Sequence, residues 1–284
     1  MTMFATAADC MDVQSCTVRY FRLGRPGNPP LMLVHGGGAH AGWWTAVAPL
    51  LAKRYDVVVP ELSGHGDSDH REQYSAEIWA AELAEIAARV GWGTFDLVGH
   101  SMGGKVGVFL ATHRPDVLDR LVMVDSAFRR PGEAAWDPRD KPRQEHKVYP
   151  SLEDALARFR LRPGDTSAEP ELLRLVARNA LAEVPGGWAW KFDPRARQRV
   201  TNEALHDELP KIRCRVGMVH GERSPLVGAE TLEYVETRLA RSMPRVPVAG
   251  AYHHVPLDKP ESCCAAIDEL LKTLGSAAGQ SEAL

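Results

Sequence analysis

The sequence predicts an α/β fold in which a mostly parallel sheet is covered by helices on both faces and a helical cap is inserted. Continuous apolar segments alternate with segments of helical periodicity, which is typical of buried parallel strands joined by helices. The alternation stops near residue 128 and resumes near residue 209. A G-x-S-x-G box, residues 99–103, joins one predicted strand to one predicted helix.

The predicted elements follow one another in a regular order. Apolar runs predict strands at residues 17–23, 31–34, 56–60, 95–98, 121–125, 215–220 and 245–249. Helical spacing predicts helices at residues 43–54, 75–90, 102–113, 229–240 and 261–274. The second of these helices begins at Ser75, a residue type that caps helix N-termini. The polar tail after Gly275 is predicted to fray.

The long segment between residues 128 and 208 predicts an inserted cap. It is rich in Arg and Pro, with predicted helices at residues 152–160 and 171–181 and an aromatic cluster at Trp188, Trp190 and Phe192. Segments of this length inside a compact domain are uncommon unless they form a functional lid. Because the sheet pattern resumes behind it, we favour a cap over a second independent domain, and we expect residues 1–127 and 209–284 to form the core and residues 128–208 the cap.

Composition indicates a soluble protein, with 44% apolar residues, 25% charged residues and a formal net charge of -3. This charge gives no reason to expect nucleic acid or an anionic membrane surface as a partner. The N-terminus lacks the apolar core of a signal peptide, and no apolar stretch is long enough to span a bilayer. The five cysteines have neither metal-site nor disulfide spacing, so we expect a reduced, cytoplasmic protein.

The G-x-S-x-G box places Ser101 at a tight turn between a strand and a helix. Gly99 and Gly103 suit the flanking positions, because the strand and the helix can pack closely only where side chains are absent. A serine hydroxyl becomes an effective nucleophile when a base takes its proton and that base is itself oriented. Ser101 is therefore the candidate nucleophile.

A histidine beyond the last predicted strand is the candidate base. Residues 250–261 (GAYHHVPLDKPE) resemble the segment that carries the catalytic histidine in the α/β-hydrolase superfamily, whose chain order is serine, acid, histidine. Counting back from Pro260, the resemblance implies that His253 is the base and that its neighbour His254 is not. Tyr252 stands where the family usually has glycine.

Two further segments resemble the same superfamily. Residues 33–38 (LVHGGG) are similar to its oxyanion loop, which implies that the N–H groups of Gly37 and Met102 hold the oxyanion. A missing donor of this kind costs about 10²–10³ in rate. Residues 61–68 (ELSGHGDS) are similar to its turn after the fourth strand, for which we expect a structural role. The candidate residues of the substrate pocket are Gly38, His100, Trp188 and Trp190.

The acid is the point at which this sequence departs from the family. The family usually supplies an aspartate in a turn after its seventh strand, but residues 221–224 (GERS) place Ser224 there. Some members take the acid from the end of the sixth strand, and that resemblance implies Asp125. Glu222 stays open as a substitute acid.

The resemblance implies a serine hydrolase that cleaves a small ester or lactone through an acyl-enzyme. Haloalkane dehalogenases and epoxide hydrolases carry aspartate at the position of Ser101, so this serine argues against those two branches of the superfamily. A C–C bond hydrolase of vinylogous diketones and a cofactor-free perhydrolase stay open, as does a non-catalytic receptor that binds a small molecule under the cap. We expect a small-molecule substrate, no metal and no cofactor, and the sequence leaves open whether the chain forms a homodimer.

Overall fold

The computed structural model describes residues 4, 7–133, 147–196 and 200–276 of the chain. In these ranges the strands are β1 (Ala8–Asp12), β2 (Thr17–Leu23), β3 (Pro30–Val34), β4 (Asp56–Glu61), β5 (Phe95–His100), β6 (Leu118–Val124), β7 (Leu181–Val184), β8 (Gly187–Trp190), β9 (Arg215–Gly221) and β10 (Arg245–Val248). The α-helices are α1 (Ala48–Leu51), α2 (Ala76–Arg89), α3 (Met102–His113), α4 (Leu152–Leu156), α5 (Pro170–Asn179), α6 (Asn202–Glu208), α7 (Ala229–Leu239), α8 (Val255–Asp258) and α9 (Pro260–Ser276).

One sheet contains most of the strands, in the order β1-β2-β4-β3-β5-β6-β9-β10. The pairs β1–β2 and β2–β4 are antiparallel, and every following pair is parallel. All residues of β4 and β5 are buried, as expected for central strands that are covered on both faces. The predicted, mostly parallel sheet is confirmed.

The hydrophobic core lies in two layers, one on each face of this sheet. One layer contains Trp79 of α2 and Phe109 of α3, and the other contains Trp44 and Ile267 of α9. Helices therefore cover both faces, as the alternating sequence pattern predicts.

The segment between β6 and β9 contains the predicted helices α4 and α5, but it is not wholly helical. Strands β7 and β8 form an antiparallel hairpin in which Leu181 lies opposite Trp190. This hairpin has no counterpart among the predicted elements, although Trp188, Ala189 and Trp190 alternate as strand residues do. Farther along, α6 packs against α3 and places Leu205 in the first core layer. The division at residue 208 into core and cap stays a prediction.

In the N-terminal part of the chain, one predicted helix is wrong and one strand has no prediction. The predicted helix at residues 43–54 is a 3-10 helix at Ala41–Trp44 followed by the separate, short α1. Pro49 explains the break, because proline lacks the backbone donor that a helix interior needs and fits only a first turn. Strand β1 has no predicted counterpart, since its residues are partly exposed and show no apolar alternation.

No helix in the described ranges combines the length and the apolar character needed to cross a membrane. The five cysteines are free thiols. The tail that the sequence predicts to fray lies, beyond Ser276, outside the described residues.

Candidate active site

Three polar residues that are distant in the sequence meet at the carboxyl edge of the sheet. Ser101 directly follows β5, Asp125 directly follows β6, and His253 lies in the loop after β10. These strands belong to the consecutive parallel set β5-β6-β9-β10. Because parallel strands end at the same edge, the fold brings the three residues to one place.

Ser101 occupies the turn between β5 and α3 in an unusual backbone conformation. Its φ is 51° and its ψ is -111°, a region that residues other than glycine rarely adopt and that costs about 1–3 kcal/mol. The Ser101 N–H donates to the Val124 carbonyl at 2.8 Å, and the Ser126 hydroxyl donates to the Ser101 carbonyl at 2.9 Å. These bonds hold the strained turn, and the Ser101 side chain stays half-exposed.

The glycines of the box lie where the backbones come closest. A Cβ atom on Gly99 would stand 2.3 Å from the carbonyl carbon of Gly103, and one on Gly103 would stand 2.5 Å from the Val34 oxygen. Neither backbone atom can yield as a flexible side chain would. Strand β5 and helix α3 therefore pack as closely here as the glycines of the box predict.

The His253 imidazole is fixed by a buried carboxylate. Its Nδ1–H donates to Asp125 Oδ1 at 2.8 Å, and the two side chains are 4% and 0% exposed. Asp125 Oδ2 accepts the Gly221 N–H at 2.8 Å, and Oδ1 also accepts the Ser224 hydroxyl at 2.7 Å. Each of these donors stabilises the negative charge of the carboxylate. The hydrogen bond at Nδ1 orients the ring and leaves Nε2 as the second imidazole nitrogen.

The two alternative acid positions have different environments. Ser224, at the position where the family usually has aspartate, is a direct partner of Asp125. Glu222 is exposed, and its Oε2 accepts the Gly250 N–H at 2.9 Å. The carboxylate that contacts His253 is that of Asp125, as the sequence analysis favours.

The two histidines near His253 make separate, buried contacts. His254 donates from Nε2 to the Pro163 carbonyl at 3.0 Å, and burial together with His253 lowers its pKa to about 3. His100 donates from Nε2 to the His253 carbonyl at 3.0 Å, and burial holds its pKa well below the ordinary value. His100, predicted to line the pocket, is 2% exposed and supports the backbone of His253.

The same three imidazoles form a group with metal-ligand chemistry. One ring nitrogen from each of His100, His253 and His254 lies within 4.8 Å of the others, and imidazole suits zinc, copper and nickel. No metal is expected from the sequence, and this group leaves no spacing signal there because His100 joins the other two histidines only through the fold.

The glycine-rich loop after β3 lies beside the start of α3. Gly37 is exposed, and a Cβ atom on it would meet Met102 Sδ at 3.4 Å. His35 secures the loop, since its Nδ1 donates to the Gly36 carbonyl at 2.8 Å and its Nε2 accepts the Leu62 N–H at 3.1 Å. Burial lowers the pKa of His35 well below its usual value, so the ring stays neutral in this role.

The turn after β4 packs against this loop around a buried carboxyl group. Glu61 accepts the Asp67 N–H at 2.8 Å and the Ala41 N–H at 3.3 Å, and burial raises its pKa to about 7. A Cβ atom on Gly66 would stand 2.3 Å from Glu61 Oε1. These contacts are those of a structural turn that supports the loop.

The aromatic residues of the insertion make contacts that the sequence did not reveal. Trp188 stacks with the Arg178 guanidinium at 4.5 Å, and the rings of Trp190 and Phe159 lie 6.1 Å apart. A Cβ atom on Gly38, whose φ is +71°, would stand 4.0 Å from Phe192. Phe192 therefore approaches the glycine-rich loop, whereas the pocket role of the two tryptophans stays a prediction.

Residues 31–266 match the model of the alpha/beta hydrolase family. The chain belongs to the alpha/beta hydrolase family. This confirms the resemblance on which the sequence analysis based its fold and enzyme class. As an alpha/beta hydrolase, the chain carries Ser101, Asp125 and His253 inside the matched range.

Individual relatives of this alpha/beta hydrolase align with different fractions of its length. The Mycobacterium bovis protein Mb2734 is 36% identical over 109 residues, which are 38% of this chain and 32% of that protein; the match thus spans about a third of this curated relative. Esterase Rv0045c of Mycobacterium tuberculosis is 26% identical over 252 residues, 86% of this chain and 83% of its own. The crystal structure of hypothetical protein PA1622 from Pseudomonas aeruginosa has a TM-score of 0.77 at 27% identity, covering 95% of this chain and 100% of that chain.

Proposed function

We propose that this chain is a serine hydrolase that cleaves a small ester or lactone through an acyl-enzyme. The observation that carries the proposal is the 2.8 Å hydrogen bond from His253 Nδ1 to the fully buried Asp125 carboxylate. A base whose second nitrogen is fixed in this way is the arrangement that activates a serine. Ser101, on its strained turn at the same edge of the sheet, is the nucleophile of the proposal.

Acylation begins when the Ser101 Oγ attacks the substrate carbonyl carbon. His253 Nε2 takes the hydroxyl proton, and the Asp125 carboxylate stabilises the imidazolium that forms. The tetrahedral intermediate then collapses, the bond to the leaving alcohol breaks, and His253 returns the proton to that alcohol. The acyl group is now an ester of Ser101.

Deacylation repeats these steps with water as the nucleophile. His253 takes a proton from the water that attacks the acyl carbonyl, and it returns the proton to Ser101 Oγ as the acid is released. The oxyanion of both intermediates accepts hydrogen bonds from the backbone N–H groups of Gly37 and Met102. The proximity of these two residues supports this role, because the donors must converge on one oxygen.

An ester or lactone is preferred to a C–C bond on two grounds. C–C hydrolases of the superfamily usually keep the acid after the seventh strand, where this chain has Ser224. In addition, a relative that aligns over 86% of this chain carries the name esterase. A fixed histidine–carboxylate pair also favours catalysis over a receptor that only binds its ligand.

A fluorophosphonate probe tests whether Ser101 is a nucleophile. We expect the wild-type protein to gain one phosphonyl group, located by mass spectrometry on the peptide that contains Ser101. Ser101→Ala should gain none, because the variant lacks the attacking oxygen. Ser151→Ala, at the N-terminus of α4, is the matched control and should be labelled like the wild type. Absence of labelling in the folded wild-type protein would contradict the proposal and favour the receptor.

A further inference from the structure

The Phe192 ring lies beside the glycine-rich loop, close to the proposed reaction centre. Gly37 and Gly38 of this loop are both exposed. A Cβ atom on Gly37 would stand 3.4 Å from the sulfur of Met102, the residue after the candidate nucleophile, and one on Gly38 would stand 4.0 Å from Cδ1 and Cε1 of Phe192. Outside the loop itself, no other atom of the described residues lies within 4 Å of either position. The open space over the loop is therefore bounded by Met102 and Phe192.

The residue that follows Phe192 is anchored to the turn after β4. The Asp193 N–H donates to the Gly64 carbonyl at 2.8 Å. Its carboxylate is 3% exposed and accepts the Tyr74 hydroxyl at 2.7 Å. A buried carboxylate is costly to leave without its donor, so these bonds fix the backbone immediately after the Phe192 ring.

The residue that precedes Phe192 is anchored to the same turn. Lys191 Nζ pairs with Asp67 at 2.6 Å, and the Lys191 carbonyl accepts a hydrogen bond from His70 Nε2 at 2.9 Å. The Phe192 ring itself packs on the buried His65 ring, with 4.8 Å between the ring centres. The ring is therefore held from both sides and from beneath.

The order of the strands places Phe192 on the acyl side of the proposed reaction centre. Ser101 follows β5, and the sheet continues from there through β3 to β4 on one side and to β6 on the other. His253, which protonates the leaving alcohol, bonds to Asp125 after β6. The leaving group must therefore lie on the β6 side, and the acyl group extends toward the loops after β3 and β4, where Phe192 lies.

We propose that Phe192 forms the end wall of the acyl pocket and limits the substrate to esters of short, apolar carboxylic acids. A carbonyl oxygen that accepts the Gly37 N–H is one residue, about 3.8 Å, from Gly38. The Phe192 ring lies about one van der Waals contact beyond Gly38, so an acyl chain meets the ring after a few carbon atoms. This inference rests on the proposed function and adds the substrate class to it.

The test compares two esters that differ only in the length of the acyl chain. 4-Nitrophenyl acetate and 4-nitrophenyl hexanoate are supplied below their micelle concentrations, and nitrophenolate release is followed after subtraction of the spontaneous rate. We expect the wild-type kcat/KM to be at least about tenfold higher for the acetate, since a pocket wall discriminates by at least this factor against added methylenes. Equal values, or a preference for the hexanoate, would overturn the inference.

Variants of Phe192 locate the wall. Phe192→Ala should raise the hexanoate-to-acetate ratio of kcat/KM about tenfold or more, and Phe192→Leu should raise it less. Phe192→Trp should lower the ratio, because the larger ring shortens the pocket. An unchanged ratio in Phe192→Ala would overturn the inference; if that variant does not fold, an unchanged ratio in both Phe192→Leu and Phe192→Trp would do so.

Trp92→Ala is the matched control for these variants. Trp92 is also a half-buried aromatic residue that packs on the first core layer. It lies at the opposite edge of the sheet, where its Nε1 donates to Asp56 at the start of β4. The variant should be less stable but should keep the wild-type ratio, which separates loss of the wall from a general loss of packing.

Tyr74→Phe tests whether the anchor positions the wall. The variant removes the hydroxyl that bonds Asp193 and leaves the aromatic ring in place. We expect the hexanoate-to-acetate ratio to rise toward that of Phe192→Ala, chiefly through a lower KM for the hexanoate, while kcat for the acetate stays within about threefold. An equal loss of rate with both esters would assign Tyr74 a merely structural role and contradict the anchoring.

These results separate the inference from the function on which it depends. If Ser101 is labelled by the fluorophosphonate but the acetate is not preferred or not cleaved, the serine hydrolase stands and the short acyl pocket fails. If neither ester is cleaved and Ser101 is not labelled, the proposed function fails, and the inference fails with it.

Discussion

Replacing His253 with glutamine is expected to lower kcat by about 10⁶-fold, the loss that follows removal of the base from a serine hydrolase triad. In the structure, His253 is the imidazole that joins Asp125, through the 2.8 Å bond at Nδ1. Glutamine preserves a donor toward the carboxylate but cannot accept the serine proton. The measurement is the steady-state rate with a chromogenic ester.

His254→Gln is the control for this prediction, one position along the chain. His254 is also buried, but its Nε2 donates to the Pro163 carbonyl, a bond that a glutamine amide can replace. Its pKa of about 3 also disfavours the imidazolium that a general base must form when it takes a proton. We expect kcat within about tenfold of the wild type. The opposite order, with His254→Gln the more damaging change, would show that the base is assigned to the wrong histidine.

Replacing Asp125 with asparagine is expected to lower kcat by about 10⁴-fold, as loss of the orienting carboxylate does in serine proteases. Asp125 accepts hydrogen bonds from His253, Ser224 and the Gly221 N–H. An asparagine amide cannot accept all three, and it can hold His253 in the wrong tautomer. KM should change much less than kcat, because Asp125 does not touch the substrate.

Glu222→Gln is the matched control for the acid. The Glu222 carboxylate is exposed and bonds to the Gly250 N–H, a contact that the glutamine oxygen can keep. We expect turnover close to that of the wild type. If Asp125→Asn keeps nearly wild-type turnover while Glu222→Gln abolishes it, the acid of the triad is Glu222.

The sequence predicts most of the sheet and the helices that pack on it. Buried strands and amphipathic helices have regular apolar spacing, and close backbone contacts require glycine. The helix after the box is predicted at residues 102–113 and observed at Met102–His113. Gly99 and Gly103 are required by backbone contacts that no side chain could share. The pairing of Asp125 with His253, 128 positions apart, follows once both are assigned to the carboxyl ends of strands in one parallel sheet.

The structure of the insertion between β6 and β9 is harder to predict, because its tertiary contacts produce little regular spacing in the sequence. The hairpin of β7 and β8 turns at Pro185 and Gly186, a turn signal that, with Trp188 and Trp190, could have predicted it. Phe192 reaches Gly38 through the fold of the insertion, which no local periodicity encodes.

The most direct test of the triad is the rate at which a fluorophosphonate forms its adduct on Ser101. This reaction needs the nucleophile, the base and the acid, but no knowledge of the natural substrate. We predict that His253→Gln and Asp125→Asn slow adduct formation on the Ser101 peptide by about 100-fold or more, the lower range of general-base catalysis, while His254→Gln and Glu222→Gln do not. Adduct formation at the wild-type rate in Asp125→Asn, or an adduct on another residue, would contradict the assignment of Ser101, His253 and Asp125.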